Sequence, residues 1–269
     1  MSYPLIDSHI HLDDPQLFSH LPSLLGEAKA VGVKGWILPS TTVASFESIL
    51  QLAKKESHIY PALGLHPYFM KSHQEEDLGH LRRYIEKYRE HLVAIGECGL
   101  DLMIANPQFE KQLTFFKAHV RLASEFDLPL IIHSRKSLDL VLKELRKYKT
   151  LRGEIHSFSG SWQQAEQLIA LGFKLGFGGA VTYPRAKRLR RILKDLPKES
   201  YLIETDAPSQ PHARLEKGAI HHPKDLYIIA QEIATIRETS LEDVIKENFM
   251  NVIELFQLPF SLSTHYRCD

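Results

Sequence analysis

Eight short apolar runs rich in Val, Ile, Leu and Gly recur along the chain, and longer stretches separate them in which apolar residues return at spacings of three and four. The runs are LIDSHIHL (5–12), GWILPS (35–40), YPALGLH (60–66), VAIGECGLD (93–101), PLIIHS (129–134), GEIHSF (153–158), KLGFGGAV (174–181) and YLIETDA (201–207). Their length and composition predict buried strands. The intervening stretches, such as PQFEKQLTFFKAHVRLASEFD (107–127) and SWQQAEQLIALG (161–172), carry Leu and Phe on one side and charges on the other, which predicts surface helices. Two of them close on glycine, in AVGVKG and ALGFKLG, as a left-handed cap requires. After the last run come a polar loop, SQPHARLEKGAIHHP, and two further helices, KDLYIIAQEIATIRE and SLEDVIKENFMNVIELF.

Strand starts return every 20 to 36 residues or so, the size of a βα unit. Eight such units in a row, with no Gly/Ser-rich linker or shift in composition, predict one α/β domain over residues 1–269, a (β/α)8 TIM barrel. A dinucleotide-binding sheet would need a glycine-rich phosphate loop after the first strand, and SHIHLDDP is nothing of that kind. The glycines of KLGFGGAV lie inside a strand, where they predict close backbone packing.

Composition narrows the partners. The 33 basic and 33 acidic residues cancel, so the chain as a whole has no attraction for nucleic acid or an anionic membrane, and an anionic substrate needs a locally positive site. Cys98 and Cys268 are the only cysteines, which argues against a disulfide scaffold and for a reducing compartment. No basic leader precedes a long apolar stretch at the N-terminus, and no segment approaches the roughly 20 apolar residues of a membrane span. A cytoplasmic protein without an obligate protein partner, acting as a monomer, is expected.

The 15 histidines change the picture by where they fall. In a barrel of this kind the C-terminal strand ends gather at one rim. Those ends carry His9 and His11, His66, Glu97 and Asp101, His133, His156 and Asp206. Residues two apart on a strand face the same way, so His9 and His11 are expected to chelate one ion, with Asp7 a layer deeper to fix a ligand histidine in its tautomer. Four imidazoles and two carboxylates exceed one tetrahedral zinc site, whereas two divalent cations sharing a bridging carboxylate use all six. Such a pair stays net positive after two carboxylates and a hydroxide, which supplies the local attraction for a phosphodiester. Water polarised between two cations makes a serine, cysteine or lysine nucleophile unnecessary, and the chain shows no GxSxG elbow.

The segments DSHIHLD, GLHP, AIGECGLD, IIHSR, HSFSGS and ETDAP, followed by NFMNVIELF, resemble in order the TatD-like metal-dependent hydrolases, a deoxyribonuclease-type branch of the amidohydrolase-like barrels. HSFSGS and GGAVTYPRA look closest to a subgroup described only as metal-dependent hydrolases. The resemblance implies that His9, His11 and Asp206 hold one cation, that Glu97 bridges, and that His133 and His156 hold the other. It implies Mg, Mn or Zn as the two metal ions, and hydrolysis of DNA or RNA, in some members from the 3′ end. By the same resemblance Asp206 orients the attacking water and accepts its proton.

Other residues keep two readings. His66 either donates to a substrate phosphate and the leaving oxygen, or closes a turn before Pro67. Asp101 contacts the site or caps the next loop. Arg135 reaches a phosphate from the rim or stays in solvent. In YPRAKRLRRILKD, Arg185 is the residue placed to meet a phosphate, and Lys187, Arg188, Arg190 and Arg191 form a solvated helix face. His221 and His222 line the site or belong to a polar loop. Cys98 points away from the barrel interior as a packed thiol. Phe69, Phe158, Trp162 and Tyr183 are candidates for stacking on bases. The substrate is then a nucleic acid end, or alternatively a small amide, lactone or phosphoester. A metal-loaded barrel without turnover is the reading the full donor set argues against.

Overall fold

The computed structural model describes residues 3–259. Cys98 lies among them; Cys268 and the SLSTHYRCD tail, expected to be loosely packed, fall outside. The strands are β1 (Leu5–Asp7), β2 (Val33–Pro39), β3 (Ile59–Leu63), β4 (Ala94–Asp101), β5 (Leu130–Arg135), β6 (Gly153–Ile155), β7 (Phe173–Phe177) and β8 (Tyr201–Ile203). The helices are α1 (Pro15–Phe18), α2 (Leu21–Ala30), α3 (Phe46–Lys55), α4 (Glu76–Tyr88), α5 (Phe109–Phe126), α6 (Leu138–Leu145), α7 (Trp162–Ala170), α8 (Lys187–Asp195), α9 (Leu226–Arg237) and α10 (Leu241–Phe256).

The eight strands are parallel and pair in chain order, β1 through β8. Backbone bonds bring the first and last strands together: Ser8 N–H donates to the Ile203 carbonyl at 3.1 Å, Asp206 N–H to His9 at 2.9 Å, and His11 N–H to Ala207 at 3.0 Å. The side chain of Asn248 on α10 fastens the same seam, accepting from Ile203 N–H at 3.1 Å and donating to the Ile6 carbonyl at 2.8 Å. This is the (β/α)8 architecture that the recurring pattern predicts.

The main core fills the space between sheet and helices, around Trp36, Phe115, Phe116 and Phe173. A second cluster joins the alternate strand residues Ile6, Ile37, Ala62, Ala94, Ile131 and Leu202 to Phe249, Val252, Leu255 and Phe256 of α10. Asn251 donates to the carbonyls of Lys198 and Tyr201, at the beginning of β8, so α10 covers the end of the barrel where the strands start. Gly32 and Gly172 end α2 and α7 at φ +95° and +88°, as their capping positions demand. Ser161 and Gln164 form a reciprocal capping box at the start of α7.

Several strands are shorter than the apolar runs predict. β1 stops at Asp7 and not at residue 12, β3 at Leu63, β6 at Ile155, β7 at Phe177 and β8 at Ile203. Most residues beyond these ends remain buried and many still bond backbone to backbone, as Ile10 N–H does to Ile37, but side-chain acceptors interrupt the ladder. Thr205 N–H, for example, donates to the Asp7 carboxylate at 2.9 Å. Among the described residues no helix is long and apolar enough to cross a membrane.

Candidate metal centre

Of the expected donors, Glu97, Asp101 and His133 sit on strands, whereas His9, His11, His66, His156 and Asp206 follow the strand ends. His9 and His11 are therefore not aligned by strand alternation. They still meet, Nε2 to Nε2 at 3.2 Å, because the chain turns over the rim with both rings facing inward, 80° apart. Around them Glu97 is central. Its Oε2 lies 3.1 Å from His9 Nε2 and 3.6 Å from His11 Nε2, and its Oε1 lies 3.0 Å from His66 Nε2 and 3.1 Å from His133 Nδ1. Asp206 Oδ1 is 3.6 Å from His9 Nε2 and 3.4 Å from His11 Nε2, while Oδ2 is 3.6 Å from His156 Nε2.

The donors fall into three overlapping sets: His9, His11 and Asp206; His9, Glu97 and His156; and His66, Glu97 and His133. The first matches the trio expected for one cation. The other two differ from expectation, since His133 is grouped with His66 and not with His156, whose ring centre is 6.5 Å away.

This donor set fits divalent cations on chemical grounds. Burial alone would raise the carboxyls of Glu97 and Asp206. The neighbouring imidazoles, His66 and His9 for the first and His156 and His11 for the second, hold both well below their ordinary values. The carboxylates in turn draw His11 up to about 10 against the effect of burial. Two ionised carboxylates enclosed by imidazole nitrogens at 3.0 to 3.6 Å are spaced like the edges of a coordination shell, about 3.4 Å for metal bonds of roughly 2.1 Å.

The supporting groups are in part different from those expected. Asp7 touches no imidazole. Its Oδ1 accepts His9 N–H at 3.2 Å, and its two oxygens accept Thr205 N–H and Oγ1–H, so it braces the backbone between β1 and β8. The imidazole is steadied by residues the sequence reading passed over. Glu204 Oε2 lies 3.0 Å from His156 Nδ1, and its Oε1 accepts Ser157 N–H at 2.8 Å. Glu154, held by the Ser8 hydroxyl at 2.6 Å, stands beside Glu204, and burial keeps it protonated far above the usual range. A Cβ on Gly176 would lie 2.3 Å from the Glu204 carboxylate, the close approach that this glycine of β7 serves, whereas Gly178 and Gly179 lie beyond the strand and not inside it. Gln210 Nε2 donates to Asp206 Oδ2 at 2.7 Å. The signal for Glu204 was its place two residues before Asp206, which matches that of Asp7 before His9.

His66 closes the Pro67–Phe69 turn, its Nδ1 accepting Tyr68 N–H at 3.0 Å, and its Nε2 faces Glu97 at 3.0 Å, a contact that neither reading of the sequence names. Burial pushes this imidazole down to about 4. Asp101 likewise does two things, accepting Met103 N–H at 2.8 Å while its Oδ2 meets His133 Nε2 at 3.0 Å and Arg135 Nη1 at 3.2 Å. Arg135 lines a cavity of about 760 Å³ above the donors, together with His11, Asp13, Tyr68, Phe69 and Gln210.

Arg185 does not line that cavity; its guanidinium lies over the Tyr183 ring at 4.6 Å. Of the four aromatic candidates only Phe69 reaches the cavity, joined by Tyr68. Phe158 is sealed in the core against Phe177, Trp162 packs against the core, and Tyr183 donates to the Pro211 carbonyl. The expected solvated face of α8 is anchored in part, with Arg190 bonded to Glu232 at 2.7 Å and Arg188 to the Ser159 carbonyl. Cys98 is buried in the main core, its thiol 3.6 Å from the Ile131 carbonyl. His221 and His222 stay outside the cavity walls: His221 is buried within the segment that joins β8 to α9, and His222 precedes the turn Pro223–Asp225.

A parallel barrel that gathers buried imidazoles and carboxylates at the C-terminal rim is the architecture of metal-dependent hydrolases. The comparisons make this specific. Residues 6–257 match the model of the TatD related DNase family. The chain belongs to this family of metal-dependent hydrolases. It is 36% identical over 255 residues to YjjV of Escherichia coli, described as a metal-dependent hydrolase, covering 94% of this chain and 98% of that one. The crystal structure of YjjV, a TatD homologue, superposes with a TM-score of 0.91 over 95% of this chain and 98% of the other. A Danio rerio protein described as a candidate deoxyribonuclease, tatdn3, is 26% identical over 266 residues, with 95% and 98% of the two chains covered.

Proposed function

We propose that this chain hydrolyses phosphodiester bonds at nucleic acid ends, using two divalent cations, Mg, Mn or Zn, that share Glu97. The observation that carries the reading is the position of Glu97, one oxygen turned to His9 and His11, the other to His66 and His133. His9, His11 and Asp206 would hold one ion, and His133 and His156 the other, the His133 ring centre lying 4.5 Å from His66 and 6.5 Å from His156. Bound there, such a pair would lower the pKa of water from 15.7 to about 7 and neutralise charge on a phosphate.

The chain's own groups do the rest. Asp206 is ionised, and the Gln210 amide on Oδ2 holds its carboxylate in place to accept a proton from the attacking water. Both ring nitrogens of His66 are engaged, so it positions Glu97 and is not the donor to the leaving oxygen. Arg135, half-exposed and bonded to Asp101, extends along the cavity wall toward a phosphate. Tyr68 and Phe69, exposed at the cavity mouth, offer ring faces to a terminal base. The volume suits a mononucleotide or dinucleotide end, falling within the ~300–1,000 Å³ of small-molecule sites.

One feature favours a second reading. Among the described residues Arg135 is the one guanidinium of the cavity wall, and Asp13 and Asp14 stand with it, which suits a neutral ester, lactone or amide as well as a phosphate. End-labelled single-stranded DNA and RNA, incubated with the protein and Mn²⁺ or Mg²⁺, separate the two. Stepwise shortening supports the nuclease, whereas intact oligonucleotides alongside turnover of small esters favour the second reading.

A further inference from the structure

The loop joining β8 to α9 contains a second convergence of donors, separate from the barrel mouth. His212, His221 and Asp225 are 3%, 1% and 4% exposed, and one ligand atom from each lies within 4.8 Å of the others. The two rings meet edge to face with centres 5.5 Å apart, and His212 Nε2 is 3.7 Å from Asp225 Oδ2.

Each imidazole leaves one nitrogen unused. His221 Nδ1 donates to the Ser209 carbonyl at 2.8 Å, which fixes the tautomer and leaves the Nε2 lone pair free. That Nε2 is buried without a hydrogen-bond partner, and so is Nε2 of His212. Two orphaned nitrogens on adjoining buried rings, beside a carboxylate, form an arrangement that water-free packing does not explain. Burial also holds both imidazoles below their ordinary value, so at neutral pH they carry a lone pair and no charge.

We propose that His212, His221 and Asp225 form an additional cation site for a zinc-class metal, with both Nε2 atoms and one Asp225 oxygen as ligands and water in the fourth position. Two imidazoles and one carboxylate are borderline donors that suit Zn²⁺ better than Mg²⁺. Drawing the atoms from within 4.8 Å to the edge of roughly 3.4 Å expected for a tetrahedral ion takes small side-chain rotations. The Arg214 N–H that His212 Nδ1 accepts at 3.2 Å would have to turn away, since Nδ1 carries the proton when Nε2 binds metal. The ion would fasten the segment that carries Ser209 and Gln210 into the wall of the main cavity.

The test compares zinc content in full-length protein that has been stripped by chelator, reloaded with Zn²⁺ and dialysed. The wild type is expected to retain one more zinc per chain than the His212→Asn/His221→Asn variant, whatever the barrel mouth holds. Equal zinc in the two proteins, both folded by circular dichroism, overturns the site. If the double variant does not fold, the zinc-edge anomalous map of wild-type crystals decides. A peak within ~2.0–2.2 Å of both Nε2 atoms supports the proposal, and no peak there overturns it.

Discussion

The two ends of the same barrel are built on opposite principles. Where the strands start, Ile6, Ile37, Ala62, Ala94, Ile131 and Leu202 meet a helix face of Phe249, Val252, Leu255 and Phe256. Where they finish, a few residues further along the same chain segments, the buried groups are His9, Glu97, Asp101, His156, Glu204 and Asp206. The first end gains stability from apolar area removed from water. The second buries ionisable groups that stabilise little without a cation, because each must be desolvated. One end holds the fold together so that the other can keep a costly arrangement in place.

Substitutions at the two ends should therefore separate activity from stability. Glu97→Gln is expected to lower kcat/KM on the best phosphodiester substrate by on the order of 10⁴, roughly 5 kcal/mol of transition-state stabilisation, with little loss of thermal stability in the metal-free protein. Steady-state kinetics and calorimetry on one preparation check both halves. Phe249→Ala should behave in the opposite way, losing roughly 4 kcal/mol in a denaturant titration while activity per folded molecule changes by no more than about threefold.

Two smaller effects sharpen the contrast at the level of single contacts. His119 on α5 accepts Leu65 N–H at 3.0 Å and donates to the Phe115 carbonyl at 2.8 Å, and burial lowers it from 6.5 to about 4. A base whose pKa is depressed by folding contributes stability that is present above 6.5 and lost as pH falls through about 4. Unfolding free energy should thus drop by about 3 kcal/mol across that window, and His119→Gln should flatten the slope. Asn248→Ala, which removes the side-chain link between β1 and β8, should cost about 2 kcal/mol with no change in the pH profile of activity.

The contrast also explains what could be seen in the sequence. The eight βα units were legible because buried strands and amphipathic helices impose their own periods, and the rim donors because no residue types other than His and the acids serve this chemistry in such numbers. Strand lengths were not, since beyond Asp7 or Ile203 most residues stay as buried as a strand while side-chain acceptors such as Asp7 break into the backbone ladder. Phe69 and Phe158 look equivalent on paper, yet one stands at the cavity mouth and the other packs on Phe177. Glu204 was missed because it faces His156 from behind and not the cavity, and His212 because a loop of irregular backbone has no period to place it.

The most direct test is anomalous diffraction from crystals of the protein loaded with Mn²⁺. Two peaks about 3.5–4 Å apart at the barrel mouth, with a Glu97 oxygen on each, are the expected result. A single peak, or a pair that does not share Glu97, contradicts the bridged centre.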